Sequence, residues 1–107
     1  MKELVEILSK HNIICKKINK IDLKELNSRK KIDLYLGVTI KKFYCIVIYI
    51  NRKSRVVTKD TKDYIELHHR LEEYNSSKIL KKYIIIKSPI CSKAEERLKD
   101  CGWRVIN

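Results

Sequence analysis

Glutamine is absent from this chain of 107 residues, glycine occurs twice and proline once, and no apolar run approaches the roughly 20 residues of a membrane-spanning helix. So little glycine and proline excludes collagen-like repeats, flexible linkers and a glycine-rich loop that cradles phosphate. The four cysteines, Cys15, Cys45, Cys91 and Cys101, include no pair spaced two or four residues apart, so a structural zinc site has little support. The opening MKELVEILSK is an amphipathic, partly acidic helix without the apolar centre of a signal peptide. The expectation is a soluble, cytoplasmic protein in a reducing compartment, with no membrane partner.

What is present is apolar bulk and positive charge. Apolar residues make up 44% of the chain and seventeen residues are isoleucine, enough to bury a core at a length typical of one domain, residues 1–107. Lysine and arginine number 25 against 13 acidic residues, a formal charge of +12, of which +10 lies within residues 15–59. Such an excess favours a polyanion, because neutralising phosphates releases condensed counterions. Abundant Lys, Ile, Asn and Tyr without Gln also reads as compositional bias or a thermophile-type surface, yet bias does not explain the lopsided placement.

Periodicity divides the chain. Leu4, Val5, Ile7 and Leu8 share a helical face over residues 3–10, and residues 13–18 read as a short strand. Asp22 and Glu25 have capping-box spacing for a turn of helix over 22–27. Two β-branched and aromatic runs, Ile32 to Gly37 and Phe43 to Ile50, read as a hairpin with Gly37 and the Lys41-Lys42 pair between them. The second run is apolar throughout, as a strand covered on both faces should be. Period two sorts it into Cys45, Val47, Tyr49 and Asn51 on one face and Ile46, Ile48 and Ile50 on the other.

A basic turn, RKSR at 52–55, leads to a helix over 61–75 with Tyr64, Leu67, Leu71 and Tyr74 on its apolar stripe. A buried strand, Lys82 to Lys87, precedes a helix opened by Ser92 and Glu95, running through Ala94, Leu98 and Cys101 and closed by Gly102; WRVI is the last strand. Cys45 and Cys101 both read as buried free thiols. His68 and His69 are about 100° apart around a helix, poorly placed to grip one metal together, and His68 reads as a core-edge residue. The order α-β-β-β-α-β-α-β, with helices between the later strands, predicts an α/β fold with a mixed central sheet flanked by helices.

These segments resemble the PD-(D/E)XK nuclease superfamily, and within it the archaeal Holliday-junction resolvases. KELVEILSKHNIICKKI is similar to their first helix and strand, KKIDLYLG with KKFYCIVIYI to their core hairpin, RLEEYNSSKILKKYIIIK to their next helix and strand, and CGWRVI to the closing strand. The resemblance implies a restriction-endonuclease-like fold. It also implies a site with an acidic residue at the hairpin and Glu-x-Lys on the following strand, where carboxylates hold a divalent cation and lysine activates water.

Asp33 sits where the family's metal-binding aspartate is expected. The Glu and Lys positions fall on Val47 and Tyr49, or one period later on Tyr49 and Asn51, and neither register supplies a carboxylate or an ammonium. The first-helix glutamate of the resolvases would fall at or before Met1. The favoured reading is a DNA-binding protein, duplex or branched, degenerate at its active site and gripping backbone through Lys30, Lys31, Arg52, Lys53, Arg55 and Lys59. The enzyme alternative is a Mg- or Mn-dependent endonuclease using Asp33 with a migrated Glu66 or Asp63, and Lys53 as a relocated cation. A structural subunit or partner-binding scaffold is the third reading, and the resemblance also implies a homodimer.

For single residues two readings stand side by side. Asp33 is a metal ligand or a solvated strand-end acid paired with Lys30 or Lys31. Tyr49 and Asn51 fill space left by the missing cation and end the strand, or they contact phosphate or a stacked base.

Overall fold

The computed structural model describes residues 2–26 and 32–107. Lys30 and Lys31 lie outside them. Helix α1 spans Lys2–Lys10 and strand β1 spans Cys15–Ile21, two to three residues later than the sequence pattern suggests. A 3-10 turn over Leu23–Leu26 follows, in which the Asp22 carboxylate accepts the Lys24 N–H at 3.0 Å. Then come β2 (Asp33–Thr39), β3 (Tyr44–Ile50), α2 (Thr58–Asn75), β4 (Lys81–Ile86), α3 (Ser92–Asp100) and β5 (Trp103–Ile106). The strands form one sheet in the order β1-β2-β3-β4-β5, antiparallel across the first three and parallel from β3 to β5. The expected mixed sheet flanked by helices is the observed architecture.

Strand β3 is central, and its two side-chain sets have the neighbours that period two assigns. Ile46, Ile48 and Ile50 are fully buried against Tyr64, Leu67 and Leu71 of α2 and Leu98 of α3. Cys45 and Val47 face the other way, toward Leu4 and Leu8 of α1 and Ile106 of β5. Each fully buried aliphatic side chain contributes roughly 1.5–3 kcal/mol of transfer free energy.

Four local expectations are corrected. Gly37 lies inside β2, paired with Ile18 and Cys45, not in the hairpin turn; the position takes glycine because a Cβ there would lie 2.9 Å from Cys45 Sγ and 3.0 Å from the Lys17 carbonyl oxygen. The turn is made instead around Thr39, whose carbonyl accepts from Lys42 N–H and whose hydroxyl accepts from Phe43 N–H, with Lys42 at φ 68°. The stripe of α2 runs through Thr61, Tyr64, Leu67, His68 and Leu71; Tyr74 is half exposed and reaches the Glu25 carboxylate of the 3-10 turn.

Helix α3 ends at Asp100, so Cys101 leaves the stripe of Ala94 and Leu98 and is exposed; Gly102 then takes φ 86°. The N-cap of α3 is Cys91 rather than Ser92, with no side-chain cap bond.

Helix α2 begins three residues earlier than its apolar stripe because Asp60 organises its start. One carboxylate oxygen accepts the Val57 N–H at 3.0 Å and the Arg52 guanidinium at 2.6 Å. Val56 is bridged to the segment before α3, donating to the Pro89 carbonyl and accepting from Cys91 N–H. The loop leaving β3 is thereby pinned at both ends. Among the described residues no helix is long and apolar enough to cross a membrane.

Candidate functional site

Antiparallel pairing of β2 and β3 sets Asp33 directly opposite Tyr49. Both belong to the face covered by α1, since Tyr35, two residues beyond Asp33, packs in that core. Asn51 continues the same alternation one step past the strand end. Ile32, Asp33, Tyr49 and Asn51 line a concavity of about 200 Å³ at this end of the sheet. Three residues singled out from the sequence thus meet at one place.

The Asp33 carboxylate is engaged by Lys20 of β1, with Nζ 3.2 Å from Oδ1. Hydrogen bonding and Coulomb attraction to Asp33 raise the Lys20 pKa above the ordinary lysine value. Lys20 pairs in register with Tyr35, which brings it diagonally beside Asp33 on the same face. The expected partners Lys30 and Lys31 lie outside the described residues; Lys20 meets Asp33 because strand register brings residues distant in sequence side by side. Lys20 was legible only as one of several lysines on a basic strand.

Glu66 is not brought to this place. Its helix covers the opposite face of the sheet, and its carboxylate accepts from Arg70 Nη2 at 2.6 Å, an i,i+4 pair on the helix surface. Asp63 belongs to the same helix. A magnesium or manganese ion needs several hard oxygen ligands, usually carboxylates supplemented by phosphate and water. Among the described residues the donor set here is one carboxylate already facing an ammonium, one phenol and one amide. It does not fit such an ion.

The basic residues after β3 divide into two kinds. Arg52 is committed to the fold: its guanidinium donates to the Ser54 and Arg55 carbonyls and to Asp60. Lys53, Arg55 and Lys59 are exposed and make no ion pair among the described residues. Lys16, Lys17 and Lys20 add an exposed basic row along β1, the edge strand of the sheet.

Among the described residues, the group of three metal-ligating types lies elsewhere. His68, His69 and Glu72 bring ligand atoms within 4.8 Å of one another, so helical angle alone did not keep the two histidines apart. The arrangement is a clamp on the segment after α2. His68 Nε2 donates to the Ile79 carbonyl at 2.8 Å, and Glu72 Oε2 accepts the Ile79 N–H at 2.9 Å. Burial alone would raise the Glu72 pKa; the Ile79 N–H and the neighbouring histidines outweigh it and hold the carboxyl below its ordinary range.

No family model matches the chain, and no curated protein matches it in sequence. Solved structures do resemble it in shape. A repair endonuclease from Pyrococcus abyssi superposes with a TM-score of 0.58 at 12% identity, over 100% of this chain and 44% of that one. EndoMS in its apo form gives 0.56 at 16% identity over 99% and 44%, and an EndoMS–dsDNA complex gives 0.55 at 14% over 100% and 43%. This chain therefore spans less than half the length of the proteins it resembles, and what it shares with them is a nuclease-like fold.

Proposed function

We propose that the chain is a DNA-binding protein on a nuclease-like fold whose catalytic centre has degenerated. One observation carries the reading: Asp33, Tyr49 and Asn51 converge on one concavity, and at it the positions that would need a carboxylate and an ammonium hold a phenol and an amide. Lys20 beside Asp33 further lowers the attraction of that carboxylate for a cation. The charge placement fits contact with phosphates, and the structural likeness to an EndoMS–dsDNA complex supports DNA as the polyanion. Binding rests on backbone contacts from Lys53, Arg55, Lys59 and from Lys16 and Lys17 of β1, with Arg52 holding the loop after β3 in shape. Backbone contacts position a protein without reading sequence. The 107 residues act as one domain, and a two-fold pair would extend the basic face; light scattering measures that state.

Fluorescence anisotropy with a labelled duplex and a four-way junction tests the reading. Affinity is expected to fall by about 10³-fold or more between 50 and 200 mM salt if six or more phosphates are contacted. Replacing Lys53, Arg55 and Lys59 together by alanine should flatten the salt slope by up to about three units. Salt-insensitive or undetectable binding to both substrates would overturn the proposal. Metal-dependent cleavage of either substrate in manganese, abolished by Asp33→Ala, would overturn the degenerate centre while leaving DNA binding intact.

A further inference from the structure

Away from the concavity at Asp33, two thiols face each other on the α1 side of the sheet. Cys15 Sγ and Cys45 Sγ are 3.7 Å apart, although their strands are not neighbours. Strands β1 and β3 both pair with β2, and the two sulfurs meet above Gly37. A Cβ at that position would lie 2.9 Å from Cys45 Sγ and 3.5 Å from Cys15 Sγ, so the glycine keeps the space open. Cys45 is fully buried and Cys15 is half-buried. Cys15 also lines an apolar cavity of about 210 Å³ between α1 and β1, with Val5, Leu8, Ile13 and Ile18 among its walls.

Topology decides what this pair can do. Two strand spacings separate β1 from β3, about 9.5 Å. A disulfide needs Cα atoms within roughly 4.4–6.8 Å. The sulfurs touch, but a bond between them would require the edge strand to leave its ladder. Of the two thiols Cys15 is the one with access to solvent and cavity, so Cys15 is the sulfur a reagent reaches, and Cys45 can donate its S–H once Cys15 is ionised.

We infer that Cys15 is a modification site for alkyl hydroperoxides, oxidised to a sulfenic acid that Cys45 cannot resolve to a disulfide. The Cys15 thiolate attacks the terminal oxygen of the hydroperoxide. A sulfur–oxygen bond forms, the oxygen–oxygen bond breaks, and the alkoxide leaves and takes a proton from water as the alcohol. Sulfur loses two electrons and the peroxide gains them. The apolar wall receives the alkyl group, and the Cys45 S–H is placed to donate to the thiolate.

Hydrogen bonding from Cys45 lowers the Cys15 pKa to about 7, outweighing the opposing effect of its burial. More thiolate at neutral pH, offset by the weaker nucleophilicity of a more acidic thiol, leaves a gain of about fivefold over an ordinary cysteine. Cys91 is the competitor, its pKa lowered by the Ala94 and Lys93 N–H groups at the start of α3, while Cys15 has the apolar wall of Val5, Leu8, Ile13 and Ile18 beside it. The inference does not depend on DNA binding.

The test treats the reduced full chain with one equivalent of cumene hydroperoxide in the presence of dimedone, followed by peptide mapping by mass spectrometry. The dimedone adduct is expected first on Cys15, ahead of Cys91 and Cys101, with no species that has lost two hydrogens through a Cys15–Cys45 link. Hydrogen peroxide, which has no alkyl group, should narrow the preference for Cys15 over Cys91. Cys45→Ala should slow the Cys15 reaction about fivefold, with circular dichroism checking that the variant is folded; if it is not, the comparison of the two peroxides decides. A Cys15–Cys45 disulfide, first reaction at Cys91 or Cys101, or an equal preference with both peroxides would overturn the inference.

Discussion

The two faces of the central sheet are covered unequally. One carries α2 and α3, eighteen and nine residues long, over a core in which Ile46, Ile48 and Ile50 are all inaccessible. The other carries the nine-residue α1, which buries Cys45 and Val47 but leaves Tyr49 half-buried and Asn51 exposed. The strand and the residue after it therefore present uniform isoleucine to the thick cover and, to the thin one, a series that runs from buried Cys45 and Val47 to the phenol of Tyr49 and the amide of Asn51. Chemistry gathers where cover runs out: Asp33 with Lys20 at one end of the thin face, and the Cys15–Cys45 pair toward the other. The thick face specifies the fold, while the thin face is free to hold groups that a packed core would reject.

Substitutions on the two faces sharpen this contrast. Ile48→Ala, on the thick face, should cost about 3–4 kcal/mol in urea unfolding, since packed helices collapse poorly around the lost atoms. A cost under about 1.5 kcal/mol would mean the thick face is loosely packed and the contrast false. Gly37→Ala should cost about 2 kcal/mol, because the added methyl meets a sulfur that can shift but also the Lys17 backbone oxygen, which cannot move without disturbing β1. Combining it with Cys45→Ala should recover only part of that loss; full recovery would place the whole strain on the thiol.

The smallest effect is expected for Asp33→Asn, which breaks an exposed ion pair and should leave the thermal midpoint within experimental scatter. If it destabilised the protein as Gly37→Ala does, Asp33 would be a structural residue rather than a remnant of a site.

Much of the fold was legible because alternation is local. The FYCIVIYIN run fixes a strand buried on both faces whatever its neighbours are, and β3 is indeed central with its two sets sorted as period two requires. Element ends were less legible. Cys101 follows the spacing of Ala94 and Leu98, yet the helix stops one residue before it, and Gly37 looks like a turn residue until strands are laid beside it. At the candidate site, Asp33, Tyr49 and Asn51 could be grouped from alternation and resemblance alone. Lys20 could not, because its place beside Asp33 depends on the β1–β2 register. Arg52 reads as a surface cation like Lys53, and only its bonds to Asp60 and the loop carbonyls set it apart.

By itself the sequence determined the kinds of element, their order, the two-sided burial of β3 and the concentration of positive charge before residue 60, all properties of composition and short-range period. The tertiary structure alone decided which charges are committed and which are available, that Glu66 lies across the sheet from Asp33, and that Cys15 and Cys45 touch without being able to join. The last two are matters of register and layer, set by contacts between residues far apart in the chain, and a one-residue slip in pairing would turn those side chains to the other face of the sheet.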